Sequence, residues 1–226
     1  MKKRIVIMVF GLLMVLLTAC GSNKPKINEK PYEDKQFLMG TYVQMRIYDD
    51  GKEAALKPAF KRVKELADKI TVNQEGSEID AVNKEAGVKP VKVTDDMFFL
   101  LKEAYKYSQD SKGGFDMAIG PITSMWRIGF PDARKPAQNE IDQALKLVNY
   151  HEVEFNDENK TVFLKEKGMK LDLGAIAKGY ITDEVVKVLK ENDVTTAIID
   201  LGGNVYVMGH SPVSYTHLTL PTILLV

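Results

Sequence analysis

The spacing of apolar positions divides the chain into short elements of two kinds. Residues 41–48 alternate, with Val43, Met45 and Ile47 on one side of the backbone, which predicts a strand with one face in the core. Leu56, Phe60, Val63, Ala67 and Ile70 recur at intervals of four, three, four and three. Those intervals mark one face of a helix, and Pro58 fits its first turn, where a missing N–H costs nothing. Thr94 is placed to cap a second helix that turns Phe98, Leu101 and Tyr105 inward; Asn139 is placed to cap a third carrying Ile141, Leu145 and Val148. Residues 111–136 between them are loop-rich. Residues 153–155 and 161–164 flank Asn156-Asp157-Glu158-Asn159, a hairpin signal. A strand over 169–173 then leads into a helix with Ile181, Val185 and Leu189 at core spacing, and residues 197–201 pair with 205–208 around Gly202-Gly203. Strands and helices are mixed rather than strictly alternating, so the expected class is α+β, a single mixed domain.

The segment LDLGAIAKGYITD, residues 171–183, joins the penultimate strand pattern to the last helix and invites two readings. In the first, the strand ends at Asp172, the chain turns at Gly174 and a helix opens near Ala175. Its free N–H groups and positive end then face an anion, and Lys178 adds a full charge. In the second, Gly and Ala only allow the turn to pack closely. The segment alone does not choose between them.

Its companions do. FLMGTY at 37–42, SEIDAVN at 77–83, GGFDMAIGPITSMW at 113–126, LDLGAIAKGY at 171–180 and DLGGN at 200–204 together resemble, in this order, the ApbE family, the FAD:protein FMN transferases. Each block is weak singly and specific in combination. The resemblance implies that FAD is cleaved at its pyrophosphate, FMN passes to a Thr or Ser hydroxyl of an acceptor redox protein, AMP leaves, and Mg²⁺ is required. Such a transfer needs oxygen charge neutralised, a nucleophile positioned and the leaving nucleotide held.

Residue by residue, the resemblance makes Met39 an FAD contact, with Gly40 letting the backbone approach; a core methionine is the alternative. Asn73 stands where the family frequently has an aromatic residue, and its amide can hydrogen-bond but offers little stacking area. Gly114, Phe115 and Asp116 match the segment lining the flavin site, although Asp116 could equally cap a turn, and Trp126 reads as core. Ser77, Glu78 and Asn83 read as helix-capping residues ahead of ligand contacts. Asp172 and Lys178 match FAD contacts. Ala175 matches a Mg²⁺ ligand, which an alanine can supply only through its carbonyl; one carbonyl cannot hold the ion alone. The Asp and Asp/Thr pair that would complete the metal site belongs to a later block with no counterpart here. No catalytic residue is assigned, and none of His151, His210 and His217 fits the family's histidine.

The ends of the chain carry a different kind of information. Lys2, Lys3 and Arg4, an apolar run, and Leu17-Thr18-Ala19-Cys20 resemble a bacterial lipoprotein signal, too short to span a bilayer. Residues 1–19 are therefore expected to be removed and Cys20 lipidated, with 20–36 a tether and the protein held on the cell membrane, facing outside the cytoplasm. Residues 37–209 are the expected flavin transferase domain, incomplete, and 210–226 a non-native tail. With 31 basic against 31 acidic side chains there is no electrostatic case for nucleic acid. No Cys/His cluster, Ser-His-Asp order or Walker loop competes with phosphoryl transfer. Three rivals remain: an FAD pyrophosphatase yielding FMN and AMP, a non-catalytic flavin-binding lipoprotein, and a surface lipoprotein with no flavin role.

Overall fold

Met39 and Gly40 both have positive φ, 54° and 71°, which is the two-residue turn whose twist suits a β-hairpin. The turn joins β1 (Ile27–Leu38) to β2 (Thr41–Asp49) and pairs Leu38 with Thr41. The computed structural model describes residues 26–72 and 75–209. The expected signal peptide, Cys20, Asn73 and the tail from 210 onward lie outside them. Residues 27–36, expected as tether, belong instead to β1. This outer strand is rich in charge (Glu29, Lys30, Glu33, Asp34, Lys35), which suits a strand with one unpaired edge and hides its strand character from an apolar pattern.

β6 (Ala197–Leu201) runs antiparallel to β2, and β7 (Asn204–Met208) to β6, giving a sheet of order β1-β2-β6-β7. Its inner face is the predicted one: Val43, Met45 and Ile47 meet Ala197, Ile199 and Leu201, all buried. The opposite face leaves Phe37, Tyr42, Val205 and Val207 exposed. A second, small sheet orders β3 (Val91–Lys92), β5 (Thr161–Leu164) and β4 (Val153–Asn156), with the predicted hairpin between β4 and β5. The α+β expectation holds.

Helix α1 (Leu56–Ile70) buries Leu56, Phe60, Val63, Leu66 and Ile70 and packs against α6 (Gly174–Glu191), which buries Ile181, Val185 and Leu189. Both stripes merge with the inner sheet face in one core. Arg62 ties the layer together: it forks onto Asp96 of α3 (Asp95–Asp110) at 2.7 and 2.9 Å and also reaches Glu184 of α6.

Capping shows where local reasoning succeeds and fails. α2 (Glu78–Lys84) starts at Ser77, whose buried hydroxyl accepts from Asp80 N–H at 2.9 Å and donates to the Thr71 carbonyl at 2.6 Å. Ser77→Ala is expected to cost about 1 kcal/mol, read as a lower urea midpoint at unchanged slope. Thr94 sits at the start of α3 as predicted, but its hydroxyl makes no cap; it donates to Glu78 at 2.8 Å. Asn139 does not cap α5 (Gln138–Ala144), whose N-cap is Ala137, with the Glu140 carboxylate accepting from the Ala137 N–H at 2.8 Å. α5 is also too short to carry the predicted stripe, and Leu145 is exposed. Nor is 169–173 a sheet strand. It is an extended segment bridged once, Lys170 to Ile119.

Candidate functional site

The extended segment before α6 is held from both sides, because successive residues of extended backbone aim their N–H and C=O groups in opposite directions. On one side Gly120 N–H donates to the Lys170 carbonyl and Asp172 N–H to the Met117 carbonyl, each at 3.0 Å. On the other, the Asn83 side chain acts as a surrogate strand. Its Oδ1 accepts from Leu171 N–H at 2.6 Å and its Nδ2 donates to the Leu171 carbonyl at 3.1 Å. Leu171 and Leu173 are thereby buried while Asp172 between them faces outward. Gly120 is required for this approach, since a Cβ there would lie 2.6 Å from the Lys170 carbonyl oxygen.

Asp172, one residue before the N-cap Leu173, then reaches the start of the helix with its side chain. Its Oδ1 accepts from Gly174 N–H at 2.9 Å and its Oδ2 from the Thr123 hydroxyl at 2.6 Å. A carboxylate at a helix N-terminus is favourable. The first N–H expected to face an anion is therefore already satisfied, and the helix opens at Gly174 rather than at Ala175. Ala175 is exposed in the first turn, and its N–H has no hydrogen-bond partner among the described residues. Lys178, one turn on, is partly buried, and its ammonium group has neither an ion pair nor a hydrogen bond among the described residues.

Gly114, Phe115 and Asp116 form the turn that leads into Met117. Gly114 N–H donates to the Ser111 carbonyl at 3.0 Å and Phe115 N–H to the Ser111 hydroxyl at 2.9 Å. Asp116 spends both oxygens on backbone, Ala118 N–H at 2.7 Å and Tyr150 N–H at 3.1 Å. Its carboxylate thus organises the turn, and because Met117 holds Asp172, the turn and the motif form one hydrogen-bonded unit. Trp126 is partly buried at the end of the short α4 (Gly120–Trp126).

The remaining predicted contact arrives at the same end of the sheet. Met39 lies in the β1–β2 turn and packs against the core edge. Thr41, next in the hairpin, presses on Gly202, whose N–H donates to the Tyr42 carbonyl at 3.0 Å. Beyond Gly203, Asn204 donates to the Thr182 hydroxyl at 2.9 Å, and Thr182 donates in turn to the Lys178 carbonyl at 2.8 Å. The Gly202-Gly203 turn is thus tied to the β1–β2 hairpin on one side and, through Asn204 and Thr182, to the Lys178 backbone on the other.

Two contributors escaped sequence reasoning. Thr123 lay inside a quoted block with no role, and Asn83 read as a helix cap. No local signal pairs residues 49 or 88 positions apart. As a Mg²⁺ site the described residues do not suffice. Among them no three acidic, His or Cys side chains cluster, and the Ala175 carbonyl lies in the first turn of a helix.

The ApbE family model matches residues 39–217. The FAD:protein FMN transferase of Klebsiella pneumoniae is 37% identical over 182 residues, 80% of this chain and 57% of that protein. The enzyme of the same name from Treponema pallidum is 31% identical over 218 residues, 92% and 60% of the two chains. Among solved structures, the ApbE protein of Thermotoga maritima superposes with a TM-score of 0.74 at 27% identity, covering 80% of this chain and 59% of that one. The flavin transferase ApbE of Vibrio cholerae, at 20% identity and a TM-score of 0.71, shares the fold. The chain spans about three-fifths of the length of these relatives.

Proposed function

The chain belongs to the ApbE family, and from that premise we propose that the protein transfers FMN from FAD to a Thr or Ser hydroxyl of an acceptor redox protein, releasing AMP. The observation that carries the reading is the start of α6: a carboxylate, Asp172, set at the first helical N–H, and in the following turns Lys178, whose ammonium group has no partner among the described residues, on a helix tied to the Gly202-Gly203 turn through Thr182 and Asn204. The acceptor oxygen forms a bond to the FMN phosphorus, the bond from that phosphorus to the AMP oxygen breaks, and the hydroxyl proton is lost. Lys178 offsets the pyrophosphate charge, and Asp172 hydrogen-bonds the nucleotide. Mg²⁺ belongs to the proposal as a requirement of turnover, with the Ala175 carbonyl as one ligand. The described residues do not complete its shell.

Incubating the full-length protein with FAD, Mg²⁺ and a Thr-containing acceptor tests the reading. A covalently fluorescent acceptor band is expected, abolished by chelation. Free FMN and AMP without that band would instead identify a pyrophosphatase, a reading favoured by Asn73 in place of an aromatic residue; flavin binding without turnover would leave a binding lipoprotein.

The membrane anchor is part of the same proposal, supported by the basic start, apolar run and Thr18-Ala19-Cys20. Cys20→Ala is expected to abolish palmitate labelling and move the protein from the membrane to the soluble fraction. Among the described residues no helix is long and apolar enough to cross a membrane.

A further inference from the structure

Resting on the flavin reading above, we infer that Thr123 is a positioning residue, which sets the Asp172 carboxylate in the orientation that meets FAD. A carboxylate offers two oxygens with about four acceptor sites. Two are used internally, one by Gly174 N–H and one by the Thr123 hydroxyl, which leaves about two open and sets the plane of the carboxylate. The Thr123 contact is 2.6 Å, the length of a strong hydroxyl-to-carboxylate bond.

The direction of that bond is fixed by the fold. α4 begins at Gly120, pinned to Lys170 by a backbone hydrogen bond and by close packing, and continues through buried Pro121. Thr123 follows within the same turn and is β-branched, so few rotamers are open to it. Asp172 sits two residues beyond Lys170, its own N–H bonded to Met117 on the same side of the segment. Without Thr123 the carboxylate would be held only by Gly174, and rotation about its side-chain bonds would cost little.

Thr123 is exposed, so removing its hydroxyl leaves no buried group unsatisfied and should leave the melting temperature unmoved. Thr123→Val is expected to weaken FAD binding by about five- to tenfold in fluorescence titration, the loss of one orienting hydrogen bond, while Thr123→Ser binds like the parent. Hydrogen exchange without flavin gives an independent readout. The Gly174 amide should exchange several-fold faster in Thr123→Val, while the Asp172 amide, bonded to Met117, is unchanged. Unaltered exchange at Gly174, unaltered affinity in a parent that binds FAD, or a Ser variant as weak as the Val variant would each overturn the inference. A parent that does not bind FAD, with Gly174 exchange nevertheless accelerated, would overturn the flavin reading and with it the purpose assigned to Thr123, while leaving the Asp172 contact standing.

Discussion

Replacing Asp172 with alanine is expected to weaken FAD binding by roughly 5- to 150-fold, because a lost carboxylate hydrogen bond to a ligand costs on the order of 1–3 kcal/mol. The carboxylate has a second duty, holding the start of α6 through Gly174 N–H, so the same substitution should also cost about 1 kcal/mol of stability. The two effects can be separated. Asp172→Asn keeps an acceptor for Gly174 N–H and removes the charge. Its melting temperature should stay near the parent's while FAD affinity still falls. Titration of flavin fluorescence against both variants, beside a thermal melt, reads the two quantities independently. Parent-like affinity in Asp172→Ala would remove Asp172 from the site and leave it a residue of the helix start.

Arg62→Met should be the most damaging substitution outside that site. The methionine retains the apolar stem but strips the charge that Asp96 and Glu184 share, leaving two partly buried carboxylates without their common partner. Breaking a buried ion pair costs about 3–5 kcal/mol, and partial exposure places this cluster at the lower end. A loss of about 3 kcal/mol corresponds to a drop of roughly 6–12 °C in melting temperature for a domain of this size. Lys69, 3.3 Å from Asp96, and Lys187, beside Glu184, remain to limit the loss.

The same cluster predicts an acid limb. The Arg62 hydrogen bond holds Asp96 below the usual carboxylate range. Burial pushes Glu184 upward, yet hydrogen bonds from Lys187 and Arg62 keep it low on balance. Both groups release their protons more readily folded than unfolded. Their contribution is therefore complete above the unfolded carboxylate value of about 4 and is lost as pH falls through the lower folded values. In Arg62→Met the main cause of the Asp96 depression is gone. Acid unfolding followed by circular dichroism should begin at higher pH than in the parent; an unchanged acid midpoint would show that Arg62 does not stabilise the ionised carboxylates.

Much of the fold was legible because burial has a period. The strand at 41–48, the stripe from Leu56 to Ile70, the β4–β5 hairpin and the pair around Gly202-Gly203 all follow from apolar spacing and turn residues within a few positions of one another. Where that signal thinned, the reading slipped. β1 carries charges on an outer strand and looked like a tether. The segment 169–173 has strand-like burial but makes its hydrogen bonds to loop backbone and to the Asn83 amide, so it belongs to neither sheet. Asn139 lost its expected capping role to Glu140, which reached back to Ala137.

For the candidate site, the ordered blocks marked the right segments but not what each polar group does. Asp116 and Asp172 look alike as lone carboxylates beside turns. In the folded chain Asp116 holds two backbone N–H groups, of Ala118 and Tyr150, within its own turn, whereas Asp172 holds the first N–H of α6 and the hydroxyl of Thr123 on another helix. By itself the sequence determined the α+β class, most of the local elements, the family, and the residues worth testing. Only the tertiary structure decided that Thr123 holds Asp172, that Asn83 stands in for a strand beside Leu171, and that Arg62 joins three helices. The physical reason is range: apolar periodicity and capping act over a turn or two of chain, while a hydrogen bond between groups 49 or 88 residues apart exists only after packing has set their elements side by side.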